Sequence, residues 1–357
     1  MLLWPRRSIS HGGLTQIMQH KGFPSKWISW MKTIFTSRTS AVILNGVIGK
    51  VFHRKRGVRQ GDPLSPLLFV LAADFLQTLL NHATESGRLS LPINIHDQDF
   101  PILQYADDTL IFMKACPQQL QHLQDILSSF GEASGLKVNF SKSMLIPINI
   151  SSDHAHSLAS LIGCNIGGLP FTYLGLPLSL TKPSVADFWP LTTKCERRLV
   201  AFSSFLNEAG RLQLTNAVLS ALPTFSMCSF LLSKTIVTQI DKYRKHCLWR
   251  GSDINCKKPP KAAWTMCCLP KEEGGLGILN LSTQNESLLL KHLHKFFNRA
   301  SIPWVHLVWS KYYLGNKLPS SEVTFRGSFW WRNLLKLLTK FKGIASVSLR
   351  DGFTCSL

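Results

Sequence analysis

Acidic residues are what this chain has least of. Twenty Asp and Glu stand against 40 Lys and Arg in 357 residues, a formal net charge of +20. None of the 20 precedes Asp62, although eleven Lys or Arg do. The first 61 residues therefore cannot supply a carboxylate to a metal, and the imbalance predicts a polyanionic partner, nucleic acid first and an acidic membrane second. Nine cysteines occur without one Cys-x-x-Cys pair, and the adjacent Cys267 and Cys268 cannot easily share a tetrahedral ion. That speaks against a zinc site and against a disulfide framework, and for a reducing compartment with cysteines filling cores. Long apolar runs are scarce too. Leu212 to Ser233 carries no charge and has the length of a membrane span. Gln213, Thr215, Asn216, Ser220, Pro223, Thr224, Ser226 and Ser229 dilute it, which predicts two packed elements broken near Pro223. Met1 to Ser10 has no apolar stretch of secretory type, so secretion is not expected; the location is open, nuclear or cytoplasmic if the protein is made. The basic, acid-free start is shared with organelle transit peptides, a minor alternative.

What is present is a globular composition, 45% apolar, with length for two or three domains. Leu14, Ile17 and Met18 space a helix that ends near Gly22-Phe23-Pro24. Trp27, Met31 and Ile34 mark a second helical face. Ala41 to Leu44, Asn45-Gly46 and Val47-Ile48 read as a hairpin. Ser65-Pro66 is expected to cap a third helix whose apolar face is Leu67, Leu68, Leu71, Phe75, Leu76 and Leu79. Asp74 within it reads as a local charge in preference to a pocket acid. Pro117 opens a fourth helix, with Leu120, Leu123, Leu127 and Phe130 on one side and Gly135 at its end. Residues 40–178 thus mix strands and helices in an α+β pattern. Helical spacing dominates from about 185, with Ile236, Ile240, Tyr243 and Cys247 as one stripe. Trp304, Trp309, Trp330 and Trp331 suggest no chemistry.

The most informative residues are Tyr105-Ala106-Asp107-Asp108, between Ile102-Leu103 and Leu110-Ile111-Phe112. The apolar runs read as two strands with the Asp pair at the bend. Paired acids on a rigid bend suit hard cations that take oxygen ligands, although an Asp pair at a turn is ordinarily just solvated. Upstream stands Arg56-Gly57-Val58-Arg59-Gln60-Gly61-Asp62-Pro63-Leu64-Ser65-Pro66-Leu67-Leu68-Phe69. Downstream come Gly135-Leu136-Lys137-Val138-Asn139-Phe140-Ser141-Lys142-Ser143 and Tyr173-Leu174-Gly175-Leu176-Pro177-Leu178. In this order the four blocks resemble the reverse transcriptase of LINE-type (non-LTR) retrotransposons, most like those of plants.

The resemblance implies an RNA-directed DNA polymerase that joins a primer 3′-oxygen to the α-phosphate of a nucleotide. Two divalent ions about 3.5–4 Å apart assist the attacking and leaving oxygens. Asp107 would be the main ligand to both, Asp108 a supporting one, with Mg²⁺ expected and Mn²⁺ as the alternative ion. Tyr105 would pack near the primer or incoming nucleotide. Arg59, Gln60 and Gly61 would lie against nucleotide and template, or form a plain loop into a capped helix. Lys142 would sit near the triphosphate, or be an exposed strand-end lysine. Tyr173, Leu174 and Gly175 match the primer grip, or form a core hairpin. RNA template, DNA primer and deoxynucleotides are the partners implied, with no membrane. His53-Arg54-Lys55-Arg56, then Lys242, Arg244 and Lys245, then Lys257, Lys258 and Lys261 would follow phosphates without reading sequence.

The family's third carboxylate lies on the first palm strand, ahead of Arg59-Gln60-Gly61, where this chain has no acid. Ser8-Ile9-Ser10 fits the residues just after that Asp, but Trp4-Pro5-Arg6-Arg7 before them does not. Asp62 is tied into a Gly-Asp-Pro turn. Fingers, endonuclease and ribonuclease H signatures are not evident. The expectation is an N-terminally truncated fragment. Residues 1–178 would form a partial right-hand palm with an antiparallel sheet and packed helices, its first catalytic strand missing. Residues 179–300 would form a mainly helical thumb, and 301–357 a segment of unassigned role. With two carboxylates left, little polymerase activity is expected. The alternatives are a non-catalytic nucleic-acid-binding remnant, a pseudogene product, and a maturase-like partner, which the LINE-type match through Leu269 to Gly277 disfavours.

Overall fold

The structure is a computed structural model that describes residues 2–3, 9–58, 61–92, 101–106, 108–202, 206–251, 258–313 and 327–346. It is α+β, and the chain divides into two compact units, 1–168 and 169–357.

In the first unit, strand β1 (Leu2–Leu3) precedes helices α1 (His11–His20) and α2 (Ser25–Thr36). Ser10 caps α1, its hydroxyl accepting from the Gly13 amide at 3.1 Å. Gly13 is where α1 meets helix α4 (Pro117–Ser134), and a β-carbon there would lie 1.7 Å from the Ala133 carbonyl oxygen. Leu14, Ile17 and Met18 are buried as their spacing predicts. In α2 the buried face is Ile28, Met31 and Phe35, while Trp27 and Trp30 face outward.

Four short strands follow: β2 (Thr39–Ser40), β3 (Ile43–Leu44), β4 (Val47–Ile48) and β5 (Phe52–His53). The expected hairpin is present, with Ile43 opposite Ile48 and Leu44 opposite Val47 across Asn45-Gly46. Helix α3 (Leu64–Glu85) starts earlier than Ser65-Pro66 suggests. Asp62 caps it instead, accepting the Leu64 amide at 2.9 Å, and Pro66 sits in the first turn, where a missing N–H costs nothing. Leu68, Ala72, Leu76 and Leu80 form the buried stripe at four-residue spacing, whereas Leu67 is exposed, contrary to expectation. Although α3 is long and apolar enough to cross a membrane, that stripe packs against α1 and α4. Asp74 pairs with Lys21.

Strands β6 (Ile102–Tyr105) and β7 (Asp108–Ile111) form the central hairpin. With β1 they make a three-stranded antiparallel sheet in the order β1-β7-β6. The sequence leaves β7 with an open edge, but Leu2 and Leu3 pair with Thr109 and Asp108. After α4 come β8 (Met144–Leu145), α5 (Ser152–Ile162) and β9 (Asn165–Ile166), with β8 and β9 parallel. Leu76, Leu80, Leu123, Leu127 and Phe130 belong to one core.

The second unit opens with the hairpin β10 (Phe171–Tyr173) and β11 (Leu176–Leu178) and is then helical. Helix α6 (Trp189–Phe202) packs on α9 (Lys234–Arg250), and between them lie α7 (Glu208–Leu214) and α8 (Thr224–Ser229). The uncharged stretch is broken as predicted, by a π turn over Thr215–Leu219 and by Pro223. Helices α10 (Trp264–Cys267), α11 (Leu281–Phe297), α12 (Pro303–Tyr312), α13 (Phe329–Leu335) and α14 (Leu338–Ile344) complete it. Ile236, Ile240 and Cys247 are buried with Tyr243 packed beside them, so the predicted stripe is the inner face of α9. The late tryptophans build an aromatic core: Phe296 stacks on Trp309 at 4.7 Å and meets Trp331 at 4.6 Å. Asn285, which sequence reasoning missed, ties this core to the break after α8. Its amide donates to the Met227 and Phe230 carbonyls while its oxygen accepts the Leu232 amide, each at 2.8 Å.

Candidate nucleotidyl-transfer site

The β6–β7 hairpin turns in two residues, since Tyr105 pairs with Asp108. Ala106 takes a left-handed φ of 53°, which such a tight turn requires. The sequence places both acids at the bend, but Asp108 is instead the first residue of β7. Its backbone lies between Tyr105 on one side and Leu3 on the other. The central strand thus fixes this half-buried carboxylate from both neighbours. Tyr105 shares its face and is 63% exposed, so that face is open at the hairpin end, while Leu110 further along it is buried. Asp107 lies outside the described residues, as do Arg59 and Gln60.

The loop carrying Arg59-Gln60-Gly61 is anchored at both ends. At its start the Gly57 amide donates to the Ile9 carbonyl at 2.8 Å, and the Gly57 oxygen lies 2.9 Å from His11 Nε2. His11 is stacked on Phe35 at 4.6 Å, and the Arg38 guanidinium lies over the same ring. At the loop's end Arg38 reaches Asp62 at 3.5 Å. Gly61 has φ 84°, and a β-carbon there would meet nothing within 4 Å, so backbone geometry rather than crowding demands glycine. The His11–Phe35–Arg38 support carries no motif signature and was not legible in sequence.

Lys142 ends a short 3-10 turn, Phe140–Lys142, that Asn139 caps, and it is exposed. That turn lies beside β1, the strand paired to β7. Asp108, Tyr105 and the Lys142 turn are therefore brought to one sheet. Tyr173, Leu174 and Gly175 form a tight turn of their own in the second unit, with Leu174 at φ 51° and Gly175 at φ 81°.

The basic clusters divide. His53, Arg54, Lys55 and Arg56 are exposed, as are Lys242, Lys245 and Lys258. Lys261 pairs with Glu208, and Lys257 lies outside the described residues. Arg244 does not belong with them: it is fully buried, donating to Asp241 at 2.6 Å, Ser220 Oγ at 2.9 Å and the Leu279 carbonyl at 2.7 Å. A guanidinium so occupied is structural and does not reach phosphates.

Among the described residues no three His, Cys, Asp or Glu side chains come together. The donor set the sequence offers at the hairpin is the Asp107–Asp108 pair, oxygen ligands that suit a hard divalent ion.

Residues 7–178 match the family model described as reverse transcriptase (RNA-dependent DNA polymerase). The family uses divalent metal ions. Several relatives are named as transposon or retrotransposon proteins. The chain is 23% identical over 313 residues to the transposon TX1 uncharacterized 149 kDa protein of Xenopus laevis, covering 85% of this chain and 23% of that one. It is 24% identical over 320 residues to the Retrovirus-related Pol polyprotein from type-2 retrotransposable element R2DM of Drosophila melanogaster, covering 84% and 27%. A protein of Arabidopsis thaliana named as a ribonuclease H protein is 34% identical over 131 residues, 36% of this chain and 21% of that one. The chain thus spans only about a fifth to a quarter of these relatives' length. Matches longer than 300 residues extend beyond 178 into the second unit.

Proposed function

We propose that residues 1–178 are part of the palm, and residues 179–300 thumb, of a reverse transcriptase that copies an RNA template from a DNA primer using deoxynucleotides. The observation that carries this is the family-matched segment with Asp108 fixed at the end of a central, doubly paired strand. Asp107 and Asp108 would hold Mg²⁺, which supplies charge neutralisation at the transferred phosphate. Tyr105, exposed on the same face as Asp108, would pack beside primer or nucleotide. Gly61 would let backbone approach the nucleotide next to Arg59 and Gln60, with Lys142 as a cation near the triphosphate. Tyr173, Leu174 and Gly175 would hold primer backbone.

A second reading is favoured by one specific observation: no acid stands among the first 61 residues to complete the carboxylate set. On this reading the 357-residue chain, assayed alone, binds an RNA–DNA hybrid and incorporates little or no nucleotide. Primer extension on an RNA template with Mg²⁺ decides. Hybrid binding without extension is the expected result. Extension abolished by Asp107→Asn or Asp108→Asn would show a working enzyme and overturn the second reading. Absence of any hybrid binding would overturn both.

A further inference from the structure

One segment of the first unit buries nothing: all sixteen residues from Ala41 to Arg56 are exposed. The β2–β5 and β3–β4 ladders run on as one two-stranded ribbon. The Arg54 amide donates to the Arg38 carbonyl at its base at 3.1 Å, and the Gly49 amide to Val42 at the joint at 2.8 Å. Asn45 and Gly46, at φ 52° and 80°, turn its tip. Ile43, Leu44, Val47 and Ile48 are 66–72% exposed there. A two-stranded ribbon standing alone is marginal in water, and a tip that exposes Leu44 and Val47 on one face and Ile43 and Ile48 on the other marks a contact site.

Charge selects the occupant. Lys50, Arg54, Lys55 and Arg56 surround the stem, and no acid offsets them anywhere in residues 1–61. A second copy would bring the same cations to the same place, whereas a polyanion neutralises them. The tip is aliphatic, and Phe52 in the stem is the single Phe, Tyr or Trp of the segment. Single strands are gripped chiefly by aromatic stacking, but aliphatic wedges with cationic flanks suit the minor groove of a duplex, where they part base steps.

We propose that the ribbon from Arg38 to Arg54 is a duplex-binding arm. Its tip enters the minor groove edge-on, with Leu44 and Val47 on one face and Ile48 on the other, while Lys50 and Arg54, and Lys55 just beyond the ribbon, lie against phosphates. This rests on the nucleic-acid reading above and adds a contact on elements other than the Asp108 hairpin.

The test is fluorescence anisotropy of the full chain with a labelled RNA–DNA hybrid across a salt series. Leu44→Thr/Val47→Thr/Ile48→Thr keeps β-branched or strand-compatible residues at exposed positions, and circular dichroism checks that the fold is retained. It should weaken hybrid binding about tenfold without changing the salt slope. Lys50→Ala/Arg54→Ala/Lys55→Ala should reduce that slope by about two to three, at about 0.9 for each phosphate no longer neutralised. Unchanged hybrid binding by both variants overturns the arm and leaves the proposed function standing. Loss confined to phosphatidylserine–phosphatidylcholine vesicles, or a change only in sedimentation, also overturns it, in favour of a membrane or of self-association. If the unaltered chain binds no hybrid, the arm and the proposed function fall together.

Discussion

Arg244 shows how far a side chain's meaning depends on where its helix faces. In sequence it is one of three cations within four residues of α9. In the fold Lys242 and Lys245 are exposed, while Arg244 bonds Asp241, Ser220 and the Leu279 carbonyl. Removing one partner of a buried pair leaves the other uncompensated, at a cost of about 3–5 kcal/mol. Arg244→Met should therefore lower the unfolding free energy by that amount in urea denaturation while leaving the salt dependence of hybrid binding unchanged. Cys195 is a second buried group with a measurable signature. Burial pushes its thiol up to about 11, with Arg244 and Lys194 only partly offsetting this. The folded state then keeps a proton that the unfolded state loses above about pH 9. The stability is fully present below that pH and is lost as pH rises toward 11, by about 2–3 kcal/mol for a shift of this size. Urea denaturation in the two pH regimes, with Cys195→Ala as control, checks it: the variant's stability should fall less steeply with pH.

At the scale of elements, periodicity was a good guide and local chemistry a weaker one. The buried faces of α1, α4 and α9 follow directly from apolar spacing, because a stripe that faces a core must repeat with the helix. The hairpin over Asn45-Gly46 was legible for the same kind of reason, since two left-handed residues select that pair. Three features were not. Asp62, through a side-chain bond to the Leu64 amide, starts α3 before Ser65-Pro66. Asp108 belongs to a strand because its backbone is paired on both sides, which depends on residues about a hundred positions away. The Gly13 crossing has no local signal, as its constraint comes from Ala133. That crossing gives a prediction. With 1.7 Å between a new β-carbon and a main-chain oxygen, Gly13→Ala must separate α1 from α4. Overpacking of this kind costs about 1–3 kcal/mol or more, although alanine favours helix locally. Calorimetry of the full chain should show a lowered melting temperature.

For the whole molecule, composition pointed to a polyanion, and the exposed cations of both units are consistent with one. Ordered motifs named the family because four short blocks in sequence are far more specific than any alone. The support of the loop before Arg59 stayed hidden, because His11, Phe35 and Arg38 meet only in three dimensions. The tryptophans after residue 300 were silent for a similar reason: they carry no polar motif, yet they close the core of the second unit around Phe296 and Trp331.

The pairing of Leu2–Leu3 with β7 has a consequence for how the protein is made. The strand that flanks Asp108 is the first piece of this sequence to be translated, yet it cannot dock until residue 109 and its neighbours have been synthesised. At about 5–20 residues per second that delay is roughly 5–20 seconds. Through this interval the segment from α1 to α3 can fold locally while Leu2–Leu3 has no strand to pair with. The sheet that carries Asp108 thus closes only after the segment from α1 to α3 has been synthesised.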